Sequence, residues 1–86
     1  MVVSFYGSML EHTGGIKTYK PENSPNVRLL IDELGCQFGA DFCDFLISEE
    51  SCVFLVNGKS IAALAGLSTK LHPGDKIEVL PFIEAG

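Results

Sequence analysis

The sequence predicts an α+β domain in which one main helix lies over a mixed sheet of about five strands. Three observations carry this. Val27, Leu30, Ile31, Leu34 and Phe38 fall at offsets of 3, 4, 7 and 11 residues from the first, the spacing of one apolar helix face. "VVSFYG" and "KIEVLPF", near the two ends of the chain, alternate apolar residues with a period of two, as half-buried strands do. "CVFLV" followed by "NGKSI" reads as strand, tight turn and returning strand. At 86 residues, with 47% apolar content for one core, the chain is expected to form a single domain over 1–86.

Taken in order, "VVSFYG" turns Val3 and Phe5 inward and Val2, Ser4 and Tyr6 outward. The glycine pair of "HTGG" accepts positive φ and predicts a hairpin, after which "IKTYK" resumes alternation with Ile16, Thr18 and Lys20 on one face. "PENSPN" combines two prolines with capping residues and leads into the helix. Ser24 or Asn26 is placed to cap it, and Pro25 is tolerated there because the first helical amides have no intrahelical partner.

Gly35 or Gly39 ends that helix, and "ADFCDFLI" continues as a short second turn with Phe42, Phe45 and Leu46 packing back on the core. "CVFLV" is continuously apolar, as a strand covered on both faces would be. Asn57-Gly58 then supplies a type I′ turn, "KSI" a short strand, "ALAGLSTKL" a connection of small residues, and "HPGD" a further turn. The last strand alternates Ile77, Val79 and Pro81. The first and last strands have the length and apolar content for central positions, and pairing them in parallel would put the chain's end at the sheet's margin.

Composition narrows the functions available. With 6 Lys and Arg against 11 Asp and Glu, the net charge of -5 repels phosphate backbones and anionic lipid, so neither nucleic acid nor a membrane is expected as partner. No segment supplies the roughly 20 apolar residues of a membrane span. The N-terminus lacks the basic lead-in and cleavage site of a secretory signal, and a cytoplasmic location is expected. Cys36, Cys43 and Cys52 are an odd set in such a chain and read as small buried thiols. Cys36 and Cys43 would stand about 10 Å apart along a continuous helix, too far for a bridge unless Gly39 breaks the helix. His12 and His72 are isolated, so no metal is expected.

Motifs for intrinsic catalysis are weak. "NGKS" suggests a phosphate loop, but that motif needs a glycine where Val53 stands in a strand. Neither histidine belongs to a recognisable nucleophile relay. Glu49-Glu50 lies in a polar stretch and reads as a solvated pair.

The remaining signal is an ordered set of residues: Val56-Asn57-Gly58, then Leu67, Thr69 and Leu71, then Gly74-Asp75, an apolar strand, Pro81 and Gly86 at the last position. Together with "VRLLIDELGCQFG", this set resembles the MoaD/ThiS-type ubiquitin-like β-grasp sulfur carriers, and it covers nearly the whole chain. The length and the well-formed helix look closer to the molybdopterin synthase small subunit than to the thiamin-pathway carriers.

The resemblance implies a non-catalytic carrier. Its Gly86 carboxylate would be activated with ATP by a ubiquitin-activating-type (E1-like) adenylating enzyme and converted to a thiocarboxylate. That group would donate sulfur to a substrate held by a large synthase subunit or another acceptor enzyme. The carrier itself would bind no cofactor. Residues 81–86 would form a mobile tail, with Phe82, Ile83, Glu84 and Ala85 entering partner sites. The family usually ends in Gly-Gly, whereas this chain has Ala85-Gly86. A ubiquitin-like interaction module without terminal chemistry, and a redox or persulfide protein using its cysteines, are the alternatives.

Overall fold

The computed structural model describes residues 1–22, 24–48 and 52–81. Alternation in the three longer strands sorts their side chains onto two faces. β1 (Val2–Phe5) buries Val3 and Phe5. β3 (Cys52–Val56) buries Cys52, Phe54 and Val56, and β5 (Lys76–Pro81) buries Ile77 and Val79. With the short strands β2 (Thr18–Tyr19) and β4 (Lys59–Ser60), they make one five-stranded sheet in the order β2-β1-β5-β3-β4. β1 and β5 are parallel, and the other three pairings are antiparallel.

Register then assembles the core. Val3 stands opposite Ile77 and Phe5 opposite Val79, while Phe54 and Val56 flank the same two residues from the other side. One continuous apolar face results. α2 (Val27–Phe38) covers it with Val27, Leu30, Ile31 and Leu34, all fully buried. Asn26 is the cap of the two expected candidates, its Oδ1 accepting from the Leu29 amide at 2.9 Å. Ser24 instead donates its hydroxyl to Glu33 at 2.8 Å.

α2 ends at Gly39, whose φ of 120° is closed to most other residues. The chain restarts immediately as α3 (Ala40–Ile47), a full eight-residue helix that buries Phe42 and Leu46 and packs the half-buried Phe45 against the core. Gly35 makes the close helix contact possible: a Cβ there would lie 2.6 Å from the Cys43 Cβ, inside van der Waals distance.

Two expectations about the strands are corrected, and one about the cysteines: Cys52 is buried, but Cys43 is half-buried and Cys36 exposed. The link between β1 and β2 is not a tight hairpin turn, because α1 (Met9–His12) intervenes and buries Met9 completely. Gly14 and Gly15 do take positive φ, but in the loop after α1, which the Thr13 hydroxyl closes by donating to the Ile16 carbonyl at 2.8 Å. His12 stacks on Phe42 with ring centroids 5.2 Å apart and lies 4.7 Å from Phe45, which ties α1 to α3. Second, "CVFLV" is covered on one face only: Val53 and Leu55 are half-buried on the opposite side. Glu49-Glu50 lies outside the described residues. No helix among the described residues is long and apolar enough to cross a membrane.

The segment between β2 and α2 is held by one carboxylate. Glu33 accepts from the Tyr19 hydroxyl at 2.6 Å, the Glu22 amide at 3.1 Å and the Ser24 hydroxyl at 2.8 Å. The hydrogen bond to Glu33, then burial and the negative charges of Glu33 and Glu22, push the Tyr19 phenol up to about 12. The neutral phenol is thus favoured in the folded state. Its contribution is complete below the unfolded value near 10 and is lost as pH rises through about 12. Tyr19→Phe is expected to lower stability by about 1 kcal/mol at neutral pH. The same substitution should flatten the alkaline loss of stability, read by urea titrations on both proteins across that range.

Candidate functional site at the exit of the last strand

Among the described residues β5 is the only strand with long partners on both sides, and the two partners stop at different points. β1 pairs with it from Lys76 to Val79, whereas β3 continues through Leu80 and Pro81, with Pro81 opposite Cys52. Pro81 therefore occupies a place where β5 has lost one neighbour, and a residue without an amide proton is tolerated there.

The corner left by β1 is filled by the chain that follows it. The Tyr6 amide donates to the Val79 carbonyl at 3.1 Å, and Gly7 then turns away with φ 58°. A Cβ on Gly7 would lie 3.0 Å from Pro81 Cγ and 3.3 Å from Cδ, so the absent side chain is what lets the proline ring seat. On the other side, the Cys52 thiol donates to the Leu46 carbonyl at 3.7 Å. Burial pushes that thiol up to about 11, which keeps it protonated and makes it a packing group rather than a nucleophile.

Beyond the corner, Val53 and Leu80 stand opposite one another on the open face of the sheet, with Leu55 further along β3. Tyr6, whose amide bonds the Val79 carbonyl, is 41% exposed. A groove of about 240 Å³ runs from this edge between β3, α3 and the turns after β4, lined by Leu46, Cys52, Val53, Ile61, Ala62 and Leu67. The strand's exit and the mouth of the groove thus share Cys52. A wider hollow of about 360 Å³ lies against α2, where its Tyr19 and Glu33 lining is engaged in the hydrogen bonds described above.

The motif residues hold β5 in place. The Asn57 side chain donates to Asp75 Oδ1 at 3.1 Å and accepts from the Lys76 amide at 3.0 Å, while its own amide donates to the Lys76 carbonyl at 2.8 Å. Asn57 and Gly58 have φ of 53° and 83°, the type I′ conformation expected of them. Asp75 Oδ2 accepts from the His72 amide at 2.8 Å. "VNG" and "GD", 18 residues apart, therefore form one clasp at the start of β5.

"T-x-L" has a similar structural role. Thr69 donates to the Gly66 carbonyl at 2.7 Å and accepts from the Ala65 amide at 3.1 Å, closing the turn Gly66–Ser68. Leu71 enters the core, and backbone bonds from Val27 to Thr69 and from Leu71 to Pro25 join this segment to the start of α2. Phe82, Ile83, Glu84, Ala85 and Gly86, the arm and terminal residue predicted to carry the chemistry, lie outside the described residues. Described residues of the corner that sequence reasoning missed are Gly7 and Cys52; a glycine directly after a strand was the available signal for the first.

The sequence profile of the ThiS family matches residues 3–86. The chain belongs to the ThiS family. Its members are ubiquitin-like sulfur carriers, in agreement with the resemblance drawn from the motif residues. No curated protein matches the chain. Among solved structures, a chain of the Amycolatopsis orientalis BexX/CysO complex is 24% identical with a TM-score of 0.81, covering 99% of this chain and 98% of that one. Mycobacterium tuberculosis CysO, described as an antigen, is 21% identical with a TM-score of 0.83, covering 95% and 98%. A putative molybdopterin converting factor, subunit 1, from Pyrococcus furiosus is 19% identical with a TM-score of 0.71, covering 95% of each. At these identities the neighbours establish the β-grasp fold and no more.

Two predictions test the corner and the clasp. Gly7→Ala places a side chain in left-handed backbone and against Pro81, and is expected to cost about 1–3 kcal/mol in urea unfolding. Gly14→Ala, with open space around it, would suffer the backbone penalty alone and serves as the control. The Asn57 hydrogen bond, then the His72 amide and the nearby His72 ring, hold the Asp75 carboxyl below the usual range. A lowered value stabilises the fold above the unfolded value of about 4 and is lost as pH falls through the folded one. Asp75→Ala should therefore cost about 1–2 kcal/mol at neutral pH, with the difference from wild type narrowing below about pH 4.

Proposed function

We propose that this chain carries sulfur on Gly86, as a C-terminal thiocarboxylate, for molybdopterin (molybdenum or tungsten cofactor) biosynthesis. The observation that carries the reading is the family match, which runs through Ala85-Gly86. The clasp and the Gly7–Pro81 corner support it, because together they fix the strand from which residues 82–86 continue.

A carboxylate resists nucleophiles until one oxygen becomes a good leaving group. In the proposed sequence, a Gly86 oxygen attacks the α-phosphate of ATP in the partner's site and pyrophosphate departs, leaving an acyl-adenylate. A sulfide-level sulfur supplied by the partner then attacks the carbonyl carbon, AMP departs with the electron pair of the broken C–O bond, and loss of the sulfur's proton leaves the thiocarboxylate. That sulfur is the nucleophile in the second partner, where it attacks the acceptor. Glycine offers its carboxylate without side-chain bulk, which a narrow partner site requires. The chain is accordingly a substrate and subunit, and ATP belongs to the activating enzyme. Phe82, Ile83, Glu84 and Ala85 are the contact arm, continued by the apolar residues Tyr6, Val53 and Leu80 at the exit. The net charge of -5 favours docking on basic partner surfaces.

The molybdopterin branch is preferred for the length of the chain and its twelve-residue main helix. Other carrier roles share the same terminal chemistry and differ in the acceptor. Ala85, where the family pattern has glycine, favours one further reading, an interaction module without terminal chemistry.

The test is the intact mass after incubation with ATP, a sulfur donor and the host's activating enzyme. Replacement of one oxygen by sulfur in the C-terminal peptide is the expected result, and transfer to a pterin precursor in the presence of the large synthase subunit assigns the branch. An unchanged mass, with conversion of an Ala85→Gly variant alone, would overturn the carrier role and leave the interaction module.

A further inference from the structure

The cysteine pair at the α2–α3 break has a geometry that the carrier role does not use. Along a continuous helix Cys36 and Cys43 would be out of reach of one another, and Gly39 removes that obstacle by breaking the helix between them. The chain folds back so closely that the position of a Cβ on Gly35 lies 2.6 Å from Cys43 Cβ, 3.4 Å from its Sγ and 3.6 Å from its Cα. Adding one Cα–Cβ bond and one Cα–Cα step bounds the Cys36–Cys43 Cα separation at about 9 Å. A disulfide requires about 7 Å or less between Cα atoms and Cβ atoms that face one another, so closure demands movement of the residues that flank the glycine hinge.

We propose that Cys36 and Cys43 form a thiol pair that exchanges with a small disulfide of the cystine class and closes as a bridge between α2 and α3. Their exposures assign the order of events. Cys36 is exposed and meets the reagent first, whereas Cys43 is half-buried and follows. The Cys36 thiolate attacks one sulfur of cystine, the cystine S–S bond breaks, and cysteine leaves with the electron pair. Cys43 then loses its proton and attacks Cys36 Sγ, expelling the second cysteine. Two protein thiols are oxidised and one cystine is reduced to two cysteines, with the released protons balanced by the two cysteine thiols.

The surroundings choose the reagent. Cys43 Sγ lies 4.0 Å from the Asp32 carboxylate and donates toward it, with Asp44 also near and Arg28 opposing. Burial, then Asp32 and Asp44, raise this thiol, which slows the second step without blocking it. The acidic setting disfavours an anionic disulfide and accepts one of no net charge. Cys52 stays outside the pair, buried at the start of β3 with its thiol on the Leu46 carbonyl.

The full chain is incubated with cystine, quenched in acid, alkylated under denaturing conditions and weighed. Cleavage on the amino side of aspartates separates the three cysteines, because Asp41 and Asp44 lie between them. The expected product has lost two hydrogen atoms, carries no cysteinyl group, keeps Cys52 alkylated, and joins the Cys36 and Cys43 peptides until reduced. Cys43→Ser should retain one cysteinyl group on Cys36, and Cys36→Ser should take up cystine at least tenfold more slowly than wild type. A lasting cysteinyl adduct on Cys36 in the wild-type chain, or a bridge that includes Cys52, would overturn the proposal. Cys36 is exposed and Cys43 is partly buried against the core, and an unchanged unfolding midpoint confirms that each variant is folded.

Discussion

The placement of β5 between β1 and β3 is the constraint on which the rest of the domain depends. Ile77 and Val79, near the C-terminal end of the sequence, are fully buried between core residues of β1 at its N-terminal end and of β3. Bringing those strands together requires the chain to close its longest loop, an entropic cost that burial of the apolar face must offset. The contacts around β5 are correspondingly specific. The Asn57–Asp75 clasp sets where the strand begins, parallel pairing with β1 sets its direction, and Gly7 sets where its last residue seats. A one-residue slip would send Ile77 and Val79 to the open face, so register and core are one decision.

The helices serve this arrangement. α2 supplies the apolar cover, and the carboxylate of Glu33 ties the β2 region to it. α3 doubles back at Gly39 to close the side of the core beneath Cys52, and α1 is drawn in by Met9 and by His12 between two phenylalanines. Polar residues of the motif region thus fix backbone positions, whereas the chemistry proposed for this chain depends on a glycine carboxylate beyond them.

How much of this was legible in the sequence follows from the range of each signal. α2 and the Asn57-Gly58 turn were readable because their causes are local: a 3.6-residue period and two residues that accept positive φ. The interior placement of the end strands was readable from their length and apolar content. α1 was not, since four residues carry too little periodicity and Met9 is fixed by a tertiary contact. The open face of β3 was hidden because Val53 and Leu55 are apolar without being covered. The candidate site divides in the same way. Asn57, Asp75, Thr69 and Leu71 were found as a pattern, and their structure explains the pattern as a clasp and a core anchor. Gly7 and Cys52 escaped notice because only the fold brings them to Pro81.

The parallel pairing of the first and last strands also has a mechanical meaning. Tension between the start of β1 and the end of β5 pulls the two strands lengthwise past each other, so the hydrogen bonds of their ladder share the force instead of opening one at a time. Antiparallel pairing with β3 beyond the end of β1 adds a second ladder along the same line. A partner that grips and tugs the C-terminal end therefore strains the domain along its stiffest direction. Force applied at the end of β5 is thus borne by two ladders at once.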